Sequence, residues 1–121
     1  MDNGDDRIFP VGVTCGATGA PPCLYTTIPI YQIDENAKTA TLLFHQILPP
    51  NLYSFFGGGV DPLANGNVEY DLCGVGPINT GSYVYEVTQQ STPQTVWTMQ
   101  SIGTNLYRAF RMPSFYPGVQ W

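Results

Sequence analysis

The residues of this 121-residue chain that could do chemistry are few and scattered. It has one histidine, His45, within Thr41-Leu42-Leu43-Phe44-His45-Gln46. An imidazole that activates a nucleophile must lie within hydrogen-bond reach of it, and no serine or cysteine has a candidate base beside it in sequence. No catalytic residue is therefore assigned. Asp2-Asn3-Gly4-Asp5-Asp6 has the oxygen density of a calcium loop but lacks the later glutamate of the helix-loop-helix pattern. No metal site is expected there, and no cofactor. Taken alone, Arg7 is a turn residue pairing with Asp5 or Asp6.

The cysteines are Cys15, Cys23 and Cys73. Three thiols are too few for a structural zinc site unless His45 joins them, and the spacing does not favour that. Cys15 and Cys23 bracket Gly16-Ala17-Thr18-Gly19-Ala20-Pro21-Pro22, a stretch with little capacity to order itself. A disulfide there would stiffen a short loop and imply an oxidising compartment. The alternative is two reduced thiols in a turn. Cys73 is expected to stay a free thiol, packed as a small hydrophobe in a strand.

The elements that must position these groups are strands. Apolar residues make up 43% of the chain, well above the range of disordered sequences. Thirteen Gly and eleven Pro divide it into short segments, and no stretch sustains a helical period for three turns. Only 11% of residues are charged, about half the usual share, so part of the surface is expected to be covered. The four bases, Arg7, Lys38, Arg108 and Arg111, form no basic face, which argues against nucleic acid as a partner. The run Thr41-Leu42-Leu43-Phe44 is far too short to span a bilayer, and no charged start precedes an apolar stretch, so neither a membrane span nor a signal peptide is expected.

Residues 30–56 align with residues 84–110 without a gap, at a spacing of 54. Ile30-Tyr31-Gln32-Ile33 falls on Val84-Tyr85-Glu86-Val87, and Thr41-Leu42-Leu43 on Thr95-Val96-Trp97. Gln46 meets Gln100, and Asn51-Leu52-Tyr53 meets Asn105-Leu106-Tyr107. Self-similarity at a fixed period marks stacked or radial repeat folds, whose units do not bury their apolar faces alone. Residues 58–100 are predicted to form four strands, over 58–63, 68–72, 83–87 and 95–99, with Asn65-Gly66 supplying the positive φ of a tight hairpin. Residues 28–33 and 39–46 correspond to the third and fourth strands of an earlier, incomplete copy. Four antiparallel strands in such a span match one blade of a β-propeller.

The expected fold is thus all-β, with propeller-like blades of four antiparallel strands. There are about two blades' worth in an incomplete ring: a partial blade over 1–56, a blade over 57–106, and a C-terminal strand and tail over 107–121. A β-sandwich or solenoid of similar strand count is the alternative. Most aromatic residues occupy alternating strand positions suited to packing between blades, while Tyr116 and Trp121, in a Pro-rich tail, are expected at the surface.

Four stretches carry a family resemblance: Asp2-Asn3-Gly4-Asp5-Asp6-Arg7, Asn51-Leu52-Tyr53-Ser54, Leu63-Ala64-Asn65-Gly66-Asn67-Val68, and Tyr107-Arg108-Ala109-Phe110-Arg111-Met112-Pro113-Ser114-Phe115-Tyr116-Pro117. Together, and in order along essentially the whole chain, they resemble the C-terminal part of the bacterial arylsulfate sulfotransferases, which are six-bladed β-propellers. The resemblance implies transfer of a sulfuryl group between phenols through a transiently sulfated histidine, with an arginine near the axis. Arg7 occupies that arginine's place. A planar guanidinium can grip two sulfuryl oxygens and offset charge developing in the transition state.

The family's catalytic histidines have no counterpart here. The repeat places His45 opposite Met99, on an outer strand at the rim. The chain is therefore expected to be a fragment or minimal subunit of such a propeller, inactive alone, with aryl sulfate or phenol as possible ligand. The alternative is a self-assembling structural or binding β-module without catalysis. Copies of itself are the expected partners, and a periplasmic or secreted setting follows from the resemblance and the disulfide.

Overall fold

The computed structural model describes residues 1–2, 18, 23–76 and 81–112, and the fold is all-β. In chain order the elements are β1 (Thr27–Asp34), β2 (Thr39–Ile47), a 3-10 turn (Pro50–Leu52), β3 (Gly59–Pro62), β4 (Asn67–Val75), β5 (Gly81–Thr88) and β6 (Thr95–Ser101). β1 and β2 form an antiparallel hairpin, and β3-β4-β5-β6 form a four-stranded antiparallel sheet in sequence order. Both sheets are open, as incomplete propeller-like blades would be. The six strands lie where alternation and turn residues place them.

The turns show why. Asp34 ends β1, and its Oδ1 accepts the backbone N–H groups of Asn36 and Ala37 at 2.9 Å each, the local bonding that makes Asp a turn former. Lys38 then takes a left-handed φ of 56° to deliver the chain into β2. In the second copy, the residue aligned with Thr39 is Pro93, which has no N–H to give a ladder. β6 accordingly opens two residues later, and Thr88 closes the longer loop by exchanging hydrogen bonds with Gln94.

The β3–β4 turn departs from a two-residue Asn-Gly type. Gly66 alone has positive φ, at 84°, and its N–H donates to the Leu63 carbonyl while the Leu63 N–H donates to the Asn67 carbonyl. This is a three-residue loop closed by a left-handed glycine. Asn65 keeps its side chain for other partners.

Over Ile28, Pro29 and Ile30 the two hairpins of the repeat differ in register by one residue. Ile30 pairs with Phe44 in the first, whereas Val84, its counterpart, pairs with Met99 in the second. The alignment by sequence alone had set Phe44 against Thr98. A one-residue slip moves side chains to the other face, so Met99 takes the face that Phe44 holds. His45, opposite Pro29, corresponds to Gln100, opposite Tyr83, and not to Met99.

Alternation gives the four-stranded sheet two unlike faces. Val68, Tyr70 and Leu72 of β4 share one face with Tyr83, Tyr85 and Val87 of β5. The hairpin packs there, and Ile28, Phe44 and Leu48 join Val68, Tyr70, Leu72, Val75 and Val87 in a single buried cluster. Tyr70 stacks on Tyr85, with ring centroids 5.3 Å apart, and Tyr85 on Tyr83 at 5.8 Å. These three tyrosines pack as expected. Tyr31, Phe55, Phe56, Trp97, Tyr107 and Phe110 are instead exposed, and Tyr116 and Trp121 lie outside the described residues.

Ser54 ties the hairpin to the sheet. Its backbone N–H donates to Thr26 Oγ1 at 2.8 Å, and its hydroxyl both donates to the Cys73 carbonyl and accepts the Cys73 N–H at 2.9 Å. β3 begins only at Gly59, opposite Asp71, so a buried hydroxyl serves the ladder groups that β3 does not reach. Gly58 is required nearby. Its φ is 98°, and a Cβ would meet the Asp71 carbonyl oxygen at 2.5 Å.

Candidate functional site

The other face of the sheet carries the charge. Glu69 and Asp71 of β4 lie on it beside Ser82 and Glu86 of β5, and all four are buried. Burying carboxylates is costly unless they are bonded or paired, and the chain over residues 106–111 supplies the partners. Leu106 donates its N–H to Ser82 Oγ at 2.8 Å, and Tyr107 accepts the Gly58 N–H at 2.9 Å. Residues 107–112 form no strand; they cross this face as irregular chain carrying Arg108 and Arg111.

Arg111 bridges two carboxylates. Its Nη2 lies 2.8 Å from Glu69 Oε2 and its Nη1 2.5 Å from Glu86 Oε2. The guanidinium also lies over the Trp97 ring, 5.7 Å from its centroid, a favourable cation–π distance. Glu86 Oε1 accepts from Asn67 Nδ2 at 2.6 Å and from Asn65 Nδ2 at 3.0 Å. These two amide bonds, with the Arg111 bond, hold the Glu86 carboxyl far below its ordinary 4.5, at about 2. Glu86 in turn raises the Arg111 pKa.

Asp71 has the opposite environment. Burial pushes its pKa above the ordinary 3.8, and backbone N–H groups of Ala109 and Gly59, with Arg108 nearby, offset this only in part. Its Oδ2 is buried with no hydrogen-bond partner among the described residues. The Met1 amino group, lowered chiefly by burial, also feels Asp71 and Arg108. Arg108 lies against the rings of Tyr107 and Phe110, at 5.7 and 6.0 Å.

Beside this network runs an open groove of about 540 Å³, lined by residues 61–65 together with Phe110 and Arg111. Its one guanidinium is already engaged by two carboxylates. A cation held this way is a clip between chain segments, not a free grip for an anionic ligand.

Arg7, the sulfate-gripping residue implied by the resemblance, lies outside the described residues, as does Cys15. His45 is exposed on β2. Cys73 is a buried free thiol, its pKa raised by burial. Among the described residues, no group of three or more His, Cys, Asp or Glu side chains could hold a metal ion. No protein-family model, curated protein or solved structure matches this chain.

Sequence reasoning did not single out Glu69, Glu86, Asn65, Asn67 and Arg111 as a unit. The signal was partial: Glu69 and Glu86 occupy polar positions of alternating strands. That they face each other depends on a register set beyond the β-bulge between Cys73 and Val75.

Proposed function

We propose that this chain is a non-catalytic β-module, a pair of propeller-like repeat units that works by associating with copies of itself. One observation carries the reading: large apolar side chains stand exposed in groups, Tyr31, Ile33, Leu42, Leu43 and Ile47 on the hairpin, and Val96, Trp97, Met99 and Ile102 on and after β6. Exposed apolar surface, where it gathers into patches, marks interaction sites. The low charge content of the chain agrees with it.

The sequence resemblance gives the module its setting. It is a sulfotransferase-like propeller segment in which Arg7 would meet an aryl sulfate or phenol, without completing sulfuryl transfer alone. A Cys15–Cys23 disulfide and a periplasmic or secreted location belong to the same proposal. Size-exclusion chromatography with light scattering tests association, with a mass expected to rise above the 13.3 kDa of one chain as concentration increases. A single-chain mass at every concentration refutes it. A phenyl-sulfate transfer assay tests the absence of catalysis, and turnover abolished by His45→Ala would return the chain to the enzymes.

A further inference from the structure

We infer that the groove between the β3–β4 turn and residues 110–111 is a binding site for a small organic cation, an ammonium group carried on an apolar body. The site lies within one chain, so the inference stands or falls apart from the association proposed above.

The charge on the sheet face points to it. Cross-strand pairing sets Asp61 opposite Glu69, Glu69 opposite Glu86, and Glu86 opposite Trp97. One row of this face therefore runs through three adjacent carboxylates and ends on an indole. Like charges directly opposite each other repel, and the row receives a single guanidinium. Arg111 spends that guanidinium on Glu69 and Glu86. Asp71, in the neighbouring row, has Arg108 and the Met1 amino group nearby. Asp61 makes no side-chain hydrogen bond or ion pair among the described residues. The row is one cation short.

The groove offers that cation a place. Asp61 lines it, and its volume of about 540 Å³ is in the range of small-molecule sites. Its other polar lining side chains are already committed. Asn65 donates its amide N–H to Glu86 and accepts the Asn67 N–H on its Oδ1, while Arg111 holds the two glutamates. The Asp61 carboxylate is thus the one polar side chain free to bond a ligand, and it sets the sign of the charge the groove accepts. Pro62, Leu63 and Phe110 supply the apolar wall. Phe110 is exposed, so its ring is open to an apolar body or to the positive charge itself. A bare metal ion fits less well, because among the described residues no group of three or more His, Cys, Asp or Glu side chains could hold one.

Titration of the folded chain with phenethylammonium chloride, followed by its amide signals in two-dimensional NMR, tests the inference. The signals of residues 61–65, Phe110 and Arg111 should move together and saturate. The similarly shaped 2-phenylethanol and 3-phenylpropionate, neutral and negative, should bind at least about tenfold more weakly. Asp61→Asn should cost about tenfold in affinity for the ammonium, with the rest of the spectrum like the parent's, since Asp61 bonds no other side chain. Glu35→Gln, in the turn between β1 and β2, removes the same charge elsewhere and should leave the affinity unchanged. Equal binding of the three probes, or equal effects of the two substitutions, overturns the inference. So does an ammonium that moves no signal in the groove.

Discussion

Glu69 and Glu86 face each other directly across β4 and β5, and the single guanidinium of Arg111 binds both carboxylates. Like charges directly opposite on one sheet face destabilise it. The pair is tolerated because an arginine from a distant, irregular part of the chain arrives between them. Residues 106–111 are thus anchored to the sheet by charge and hydrogen bonding, without a strand of their own.

Arg111→Ala should lower the unfolding free energy by about 1–3 kcal/mol at neutral pH, less than for a fully buried pair because the arginine is partly solvent-exposed. Arg111→Lys should recover only part of the loss, since an ammonium lacks the planar fork that spans both carboxylates. Urea unfolding measures both, and an unchanged midpoint for the alanine variant would remove Arg111 from its structural role.

Acid should act on Glu86 and Asp71 with opposite signs. Glu86 has a folded pKa depressed from 4.5 to about 2, so its stabilisation is present above 4.5 and disappears as pH falls toward 2. Asp71 has a raised folded pKa, so its contribution is fully present below 3.8 and is lost as pH rises through the folded value. Glu86→Gln should flatten the acid limb of the stability curve. The stability of the parent relative to Asp71→Asn should be greater at pH 3.5 than at pH 7, and a difference of the reverse sign would show that Asp71 is charged and well paired.

Ser54→Ala should destabilise the fold by about 1–3 kcal/mol, because it strips the buried N–H and carbonyl of Cys73 of their shared hydroxyl. Hydrogen exchange at the Cys73 amide should speed up more than exchange in β6. Uniform acceleration throughout the sheet would mean that the hydroxyl is not a local tie.

Thiol counting should find no readily reactive group in the folded protein and one after denaturation without reductant. The one is Cys73, buried and with its pKa raised by that burial. Three reactive thiols after denaturation would end the case for a Cys15–Cys23 disulfide and for the oxidising compartment argued from it.

The six strands and their turns were legible in the sequence because their causes are local. Period-two alternation marks β4 and β5, Asp34 bonds its own following backbone, and Gly66 alone can take the left-handed φ that the β3–β4 loop needs. The repeat likewise showed two equivalent hairpins. It did not reveal that their registers differ by one residue over Ile28, Pro29 and Ile30, and so it matched His45 with Met99 when Gln100 holds the equivalent place.

Register depends on where a bulge falls and on which face finds a buried partner, and both are settled by contacts far apart in sequence. The same holds for the charged face. Nothing local to Glu69, Glu86 or Arg111 states that they meet, since 25 residues separate Glu86 from the arginine that binds it. Composition and periodicity made this chain a β-repeat protein with more apolar surface than it can bury alone. Only the packing of hairpin on sheet decided which of these apolar side chains are buried within the chain and which stand exposed, because burial belongs to pairs of faces and not to either strand by itself.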